Sequence, residues 1–222
     1  MAAVRALTTG GVGVLGGTFD PIHYGHLRMA DEVAVSLGLS QVRLVPAGNP
    51  YHRSDDTPPT PRMQRLAMVR LAVEEFPRLV VDPREALRGT PSYTVDTLSA
   101  MREEVGATAI LLIMGADTFV TLPTWNRWVD LFGLAHIIIV PRPNFTMPDP
   151  LPPALAGAYN SRKTTDKALL SKGVGRIYTQ TVTQQPISAT RLREMAWGYQ
   201  PLERYLPAKV AEYLNTHNLY RT

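Results

Sequence analysis

The chain predicts an α/β fold, an open, doubly wound, mainly parallel sheet with a small helical appendage on its C-terminal side. Three observations carry that expectation. Short apolar runs alternate with helical patterns along most of the sequence, and strand–helix alternation implies parallel crossovers. Hydrophobic residues make up 45% of the 222 residues, enough for a sizeable core, whereas charged residues at 19% fall below the usual ~25% and speak against disorder. At roughly 150 residues per domain, the length suits one generous domain.

Each element has its own signal. Val12 to Leu15 reads as a buried strand, followed by a helix from about Gly25 to Leu37 that stops at Gly38. Gln41 to Pro46 is the next strand. Thr60 and Pro61 then supply a cap and first turn for a helix in which Leu66, Met68, Val69, Ala72 and Val73 recur at helical period. Leu79 to Val81 is a third strand, and a helix from about Thr94 to Val105 leads into strand Ala109 to Met114. A helix over about Thr124 to Phe132 and a strand from His136 to Val140 continue the alternation. The stretch from Pro141 to about Gly175 breaks it, because its opening prolines suit neither a helix interior nor a central strand. It reads as a surface excursion with one short helix near Lys163 to Leu170. A strand (Arg176 to Thr181) and two helices (about Ala189 to Met195 and Pro207 to Thr216) close the chain. The expected organisation is a core over 1–186, containing the 141–175 excursion, with 187–222 as an appendage of the same domain.

Composition narrows the function classes. The absence of cysteine excludes disulfides, thiolate metal sites and a thiol nucleophile, and fits a reducing compartment. The longest apolar run, Ala109 to Met114, is far below the ~18 residues of a membrane helix, and no signal-peptide pattern opens the chain. A cytoplasmic protein without membrane association is the expectation. The net charge of +4 does not cluster. Of Arg62, Arg65 and Arg70 on one helix, the first two, and less so the third, share a side that reads as a solvated face; no recognition helix is evident, and nucleic acid is not the expected partner.

Gly11-Val12-Gly13-Val14-Leu15-Gly16 matches a dinucleotide-binding spacing, but its intervening residues read as the strand itself, and strand Gln41 to Pro46 ends without an acid. The residues that follow are more informative. Gly16 to Leu27, GGTFDPIHYGHL, spans the turn from the first strand to the first helix. In a doubly wound sheet, ligands bind beyond the carboxyl ends of the strands where their order reverses. Gly16, Gly17 and Gly25 let backbone approach a ligand, and a helix start presents free N–H groups and positive dipole. His23 and His26, three apart, can face one bound group, and an anion such as phosphate suits them. Two histidines at this spacing can also be half of a metal site, but no further Cys, His or carboxylate completes one at local spacing, and phosphate contact is the favoured reading. Ser188, Ala189, Thr190 and Arg193 at another helix start can grip phosphate, or be a plain cap with a surface arginine. Ser92, Tyr93 and Thr94 precede a third helix and can hold a small carboxylate. Trp125 and Trp128, read alone, suit core packing.

GGTFDPIHYGHL resembles the T/H-x-G-H motif of the nucleotidylyltransferase superfamily. Four further segments make the chain similar to the bacterial nicotinate-nucleotide adenylyltransferases: PAGNPYHR (Pro46 to Arg53), PSYTVDTL (Pro91 to Leu98), MGADTFVTLPTWNRW (Met114 to Trp128) and ISATRLR (Ile187 to Arg193). The closing PAKVAEYLNTHNLY (Pro207 to Tyr220) is similar to that family's C-terminal helix. The resemblance covers nearly the whole chain in family order and leaves the 141–175 excursion outside it.

The resemblance implies a Rossmann-like core and adenylyl transfer from ATP to nicotinate mononucleotide, giving deamido-NAD and pyrophosphate. It makes His23, His26 and Arg193 catalytic. It assigns Gly16, Gly17, Thr18, Phe19, Gly25, Gly115, Asp117, Ile187, Ser188 and Thr190 to ATP together with them. His52, Arg53, Ser92, Tyr93, Thr94 and Trp125 fall to nicotinate mononucleotide, with Trp125 stacked on the pyridine and Trp128 left to packing. Mg²⁺ is expected to arrive on the ATP phosphates, no protein-held metal is expected, and a homo-oligomer is left open. Ala189 replaces a serine of the family's second phosphate motif, and Tyr51 replaces a proline.

Overall fold

The computed structural model describes residues 10–50, 59–88, 90–143 and 145–221. Seven strands form one sheet: β1 (Val12–Gly17), β2 (Gln41–Pro46), β3 (Leu79–Val81), β4 (Ile110–Gly115), β5 (His136–Val140), β6 (Lys163–Thr164) and β7 (Ile177–Thr179). Their order is β3-β2-β1-β4-β5-β7-β6. The chain thus builds outward from β1 in one direction, returns to place β4 and β5 on the other side of β1, and ends with β7 between β5 and the edge strand β6. From β1 through β4, β5, β7 and β6, every neighbouring pair runs parallel. This is the doubly wound, Rossmann-like arrangement, and its reversal falls between β1 and β4. Among the described residues no helix is long and apolar enough to cross a membrane.

The described residues fall into two compact units. The first draws on the described residues within Met1–Leu15, Glu32–Val42 and Tyr93–Val182. Its core is built on β4 and β5, buried at every position, as their near-continuous apolar sequences require of strands covered on both faces. Helix α4 (Thr94–Val105) turns Val95, Leu98 and Met101 inward. Each such side chain stabilises the fold by about 1.5–3 kcal/mol when fully buried. Gly13 lies inside β1, where a Cβ would stand 2.7 Å from Val42 Cγ2 and 3.0 Å from Leu39 Cδ1. Close packing, rather than a dinucleotide, accounts for the glycine spacing here. His136 is fully buried with Nδ1 accepting the Arg176 N–H at 3.1 Å. Burial holds its pKa below the ordinary value, so it belongs to the core as a neutral ring.

Two sequence expectations fail in this unit. Thr124 to Phe132 is not an α-helix. It consists of 3₁₀ turns at Leu122–Thr124 and Trp128–Gly133, separated by Arg127 in the left-handed region at φ 50°. A left-handed residue cannot continue a right-handed helix. The α-helix lies earlier, as α5 (Ala116–Val120). In the excursion, the helix is α6 (Pro153–Arg162), while Lys167–Leu170 forms only a 3₁₀ turn capped by Asp166. Prolines bar a helix interior but not its first turn, and Pro152 and Pro153 occupy the cap and first position.

The second unit draws on Gly16–Asp31, Arg43–Ser92 and Thr183–Thr222. It contains the start of α1 (Tyr24–Leu37), then α2 (Arg62–Val73), α3 (Arg84–Leu87), α7 (Ala189–Trp197) and α8 (Ala208–Thr216). Helix α8 turns Val210, Ala211 and Leu214 inward and packs on α2. Asp82, buried after β3, receives Arg84 through Nε (2.8 Å), Nη2 (2.7 Å) and the backbone N–H (3.2 Å), with Arg43 at 3.4 Å. Burial works against its charge, but these donors hold its pKa below the usual carboxylate value. The expectation of a solvated arginine face on α2 fails at Arg65, which is 1% exposed. Its place on the stripe with Met68, Val69 and Ala72, at spacings of three, four and seven, carries it inward.

Candidate active site

The β1–α1 loop is shaped by its own side chains and by the second unit around it. Phe19 adopts the left-handed region at φ 47° and is buried. A non-glycine residue there costs on the order of 1 kcal/mol and persists only where surroundings over-determine it. Here the Phe19 ring meets the His26 imidazole edge-on, with centroids 5.1 Å apart. His26 in turn stacks on His23 at 3.8 Å with the ring planes 24° apart. The stack sets two imidazole edges side by side at the entrance of α1. Gly25 makes it fit, because a Cβ there would lie 2.9 Å from the His23 ring. The same Cβ would stand 3.8 Å from Gln185 Cβ, which puts the approach to α7 beside the histidines.

Four groups distant in sequence pin this loop: Arg65, Thr60, Tyr220 and Arg193. Arg65 donates to the carbonyls of Thr18 (2.7 Å), Gly48 (3.0 Å) and Thr60 (2.8 Å), tying the loop after β1 to the loop after β2. Asp20 is buried, and its carboxylate accepts the Tyr220 hydroxyl at 2.6 Å and the Thr60 N–H at 3.3 Å. Its carbonyl accepts Arg193 Nη1 at 2.8 Å. Sequence reading missed Arg65, Asp20 and Tyr220. The stripe position of Arg65 was a usable signal, whereas nothing local marks Asp20 and Tyr220 as partners.

At α7, Ser188 is the N-cap and accepts the Arg191 N–H at 3.2 Å. Arg193, partly exposed, donates Nη2 to Thr190 Oγ1 at 3.3 Å while holding Asp20. Ile187 precedes the cap and is half-buried. The second unit therefore brings together Gly16, Gly17, Thr18, Phe19, His23, Gly25, His26, Ile187, Ser188, Thr190 and Arg193. Ser92 belongs to the same unit. It is buried, its hydroxyl accepting the Gly48 N–H at 2.9 Å and its N–H donating to Asn49 O at 3.2 Å. Its side chain thus closes the loop after β2. His52 and Arg53 lie outside the described residues, as does Tyr51.

The first unit holds Tyr93, Thr94, Gly115, Asp117 and Trp125. Tyr93 caps α4 and Thr94 begins it, both half-buried. Asp117, in the first turn of α5, pairs with Arg142 Nε at 2.9 Å, with both side chains over 40% exposed. A Cβ on Gly115 would lie 2.3 Å from Asp117 Oδ1 and 2.5 Å from that Arg142 nitrogen, so the pair requires glycine there. Arg142 also went unread in the sequence. Trp125 ends the Leu122–Thr124 turn, donating its backbone N–H to Leu122 O at 2.9 Å, and is half-buried. Trp128 packs edge-on against Phe132 at 6.0 Å.

A family model described as Cytidylyltransferase-like matches residues 14–195. A protein of Dechloromonas aromatica named "probable nicotinate-nucleotide adenylyltransferase" is 43% identical over 95% of this chain and 97% of its own. One of the same name from Aeromonas salmonicida is 44% identical, again over 95% and 97%. The nicotinic acid mononucleotide adenylyltransferase of Plasmodium falciparum, solved with NaAD, shares the fold with a TM-score of 0.69 at 17% identity, over 95% of this chain and 97% of that one. With its sequence relatives alike over nearly full length, and with the histidine loop and α7 start assembled in one unit, this chain belongs to the nicotinate-nucleotide adenylyltransferase family of Cytidylyltransferase-like proteins.

Proposed function

We propose that the protein transfers the adenylyl group of ATP to nicotinate mononucleotide, forming nicotinate adenine dinucleotide and pyrophosphate. The observation that carries this reading is the His23–His26 stack held in the same unit as the Arg193-bearing helix start. A 5′-phosphate oxygen of nicotinate mononucleotide attacks the α-phosphorus of ATP in line, a P–O bond forms, and the bond to the β-phosphate oxygen breaks, releasing pyrophosphate. Positioning and charge neutralisation supply the rate, so no enzyme nucleophile is needed. His26, with His23, donates to the α-phosphate oxygens as charge develops there. Arg193 holds the β- and γ-phosphates with the help of Ser188, Thr190 and the Ile187 backbone. Gly16, Gly17, Thr18 and Phe19 shape the phosphate side of the pocket.

Gly115 and Asp117 take the adenosine ribose in this reading. Ser92, Tyr93 and Thr94 take the nicotinate carboxylate through the α4 start, and Trp125 stacks on the pyridine ring. His52 and Arg53 serve the mononucleotide phosphate. Among the described residues no three His, Asp or Glu side chains cluster to hold a metal. Mg²⁺ would enter with ATP as part of the substrate and would supply charge neutralisation at its phosphates.

A coupled pyrophosphate-release assay with ATP and three acceptors tests the reading. Nicotinate mononucleotide is expected to turn over faster than its amide, which lacks the charge to draw charge-assisted hydrogen bonds, and far faster than phosphopantetheine. Equal use of the amide, or preference for phosphopantetheine, overturns the acceptor assignment.

A further inference from the structure

We propose that Tyr220 is a positioning residue for ATP: its hydroxyl occupies the Asp20 carboxylate, so that Arg193 rests on the Asp20 carbonyl with its charge left for the triphosphate. The inference rests on the reading above that Arg193 binds the β- and γ-phosphates. Asp20 stands three residues before His23, and its two ends serve different partners. The carboxylate takes Tyr220 Oη (2.6 Å) and Thr60 N–H (3.3 Å), whereas the carbonyl takes Arg193 Nη1 (2.8 Å). An arginine this close to a buried carboxylate would normally form a two-pronged ion pair with it. Among the described residues no carboxylate lies within ion-pair distance of Arg193, and its other contact is the Thr190 hydroxyl.

A tyrosine suits that office. It is a neutral donor, so it satisfies the buried carboxylate without bringing a second cation beside Arg193. Burial and the adjoining Asp20 charge push its phenol well above the ordinary range, so it remains a donor at any pH at which the enzyme works. The backbone is committed to the same end. Asn218 and Tyr220 both take left-handed conformations, at φ 49° and 63°. For a bulky residue this conformation persists only where the surroundings over-determine it.

Steady-state kinetics on four proteins decide the matter: wild type, Arg193→Ala, Tyr220→Phe and the double variant Asp20→Asn/Tyr220→Phe, with melting temperatures recorded for each. Phenylalanine keeps the ring and removes only the hydroxyl. Tyr220→Phe is expected to raise KM for ATP about tenfold, the size of one lost charge-assisted contact, with KM for nicotinate mononucleotide within about twofold of wild type. In the double variant, a neutral amide cannot form the two-pronged ion pair with the guanidinium, and KM for ATP is expected to return to within about threefold of wild type. The double variant also removes the buried carboxylate charge that Tyr220→Phe deprives of its tyrosine donor, so it remains readable should the single variant fold poorly. If Arg193→Ala impairs ATP use while Tyr220→Phe does not, the proposal is overturned and the reading of Arg193 stands. A double variant no better than Tyr220→Phe reduces Tyr220 to a structural strut and overturns the proposal. If Arg193→Ala leaves KM for ATP unchanged, the phosphate role of Arg193 falls first, and the proposal with it.

Discussion

The loop after β1 and the segment after β4 both carry residues assigned to substrate, yet they are held in opposite ways. Around the first, Arg65 spans three carbonyls, Asp20 is buried between Tyr220 and Thr60, and the Phe19, His26 and His23 rings contact one another in series. Around the second, Asp117 and Arg142 meet in a pair more than 40% exposed on either side, and Trp125 sits half-buried at the end of a 3₁₀ turn. An exposed ion pair contributes about 0–1 kcal/mol, whereas a buried group left without its hydrogen bond costs roughly 1–3 kcal/mol. The contrast matches the tasks proposed for the two segments. Groups that neutralise a transition state must be in place before the reaction begins. Side chains that recognise a ring need only be available to it.

If the contrast is sound, the histidine loop should be where catalysis breaks hardest. His26→Ala is expected to lower kcat by about 10²–10³, as for the loss of one preorganised donor to a developing oxyanion. Circular dichroism should show the fold intact, and a loss confined to KM would contradict a transition-state role. Next in size is a stability effect. Arg65→Met keeps the stem of the side chain but strands three backbone carbonyls, and should cost about 3 kcal/mol or more in urea unfolding. Thr18, Gly48 and Thr60 are the carbonyls concerned. An unchanged unfolding midpoint would mean that water replaces the guanidinium and that the loop is not pinned as described. The smallest effect belongs to the exposed segment. Trp125→Ala should raise KM for nicotinate mononucleotide by about tenfold, a typical stacking contribution, with KM for ATP and the unfolding midpoint near wild type. Equal damage to both substrates would remove Trp125 from the pyridine.

Much of the fold was legible because its signals are local. The apolar runs of β4 and β5 and the periodic stripe of α2 predict their elements within one or two residues. The excursion departs from its expectation because Pro152 and Pro153 start a helix rather than forbid it. The stretch at 124–132 departs from its expectation because nothing in its pattern announces a left-handed Arg127. Among site residues, the glycines and histidines of the first loop stood out by spacing. Spacing alone sets Arg65 beside Arg62 as readily as beside Met68, Val69 and Ala72, and it is the buried stripe that carries it inward.

The sequence by itself determined the strand–helix alternation, the placement of His23 and His26 at a helix entrance, and membership of a family that shares its motifs in order. These depend on residues within one or two turns of each other, where spacing alone sets direction. Tertiary structure decided which polar groups would satisfy one another: Arg65 and Thr18 are 47 positions apart, Arg193 and Asp20 are 173, and Tyr220 and Asp20 are 200. A buried donor or acceptor must be matched by whatever segment the folded chain brings to it, and no local pattern names that segment in advance.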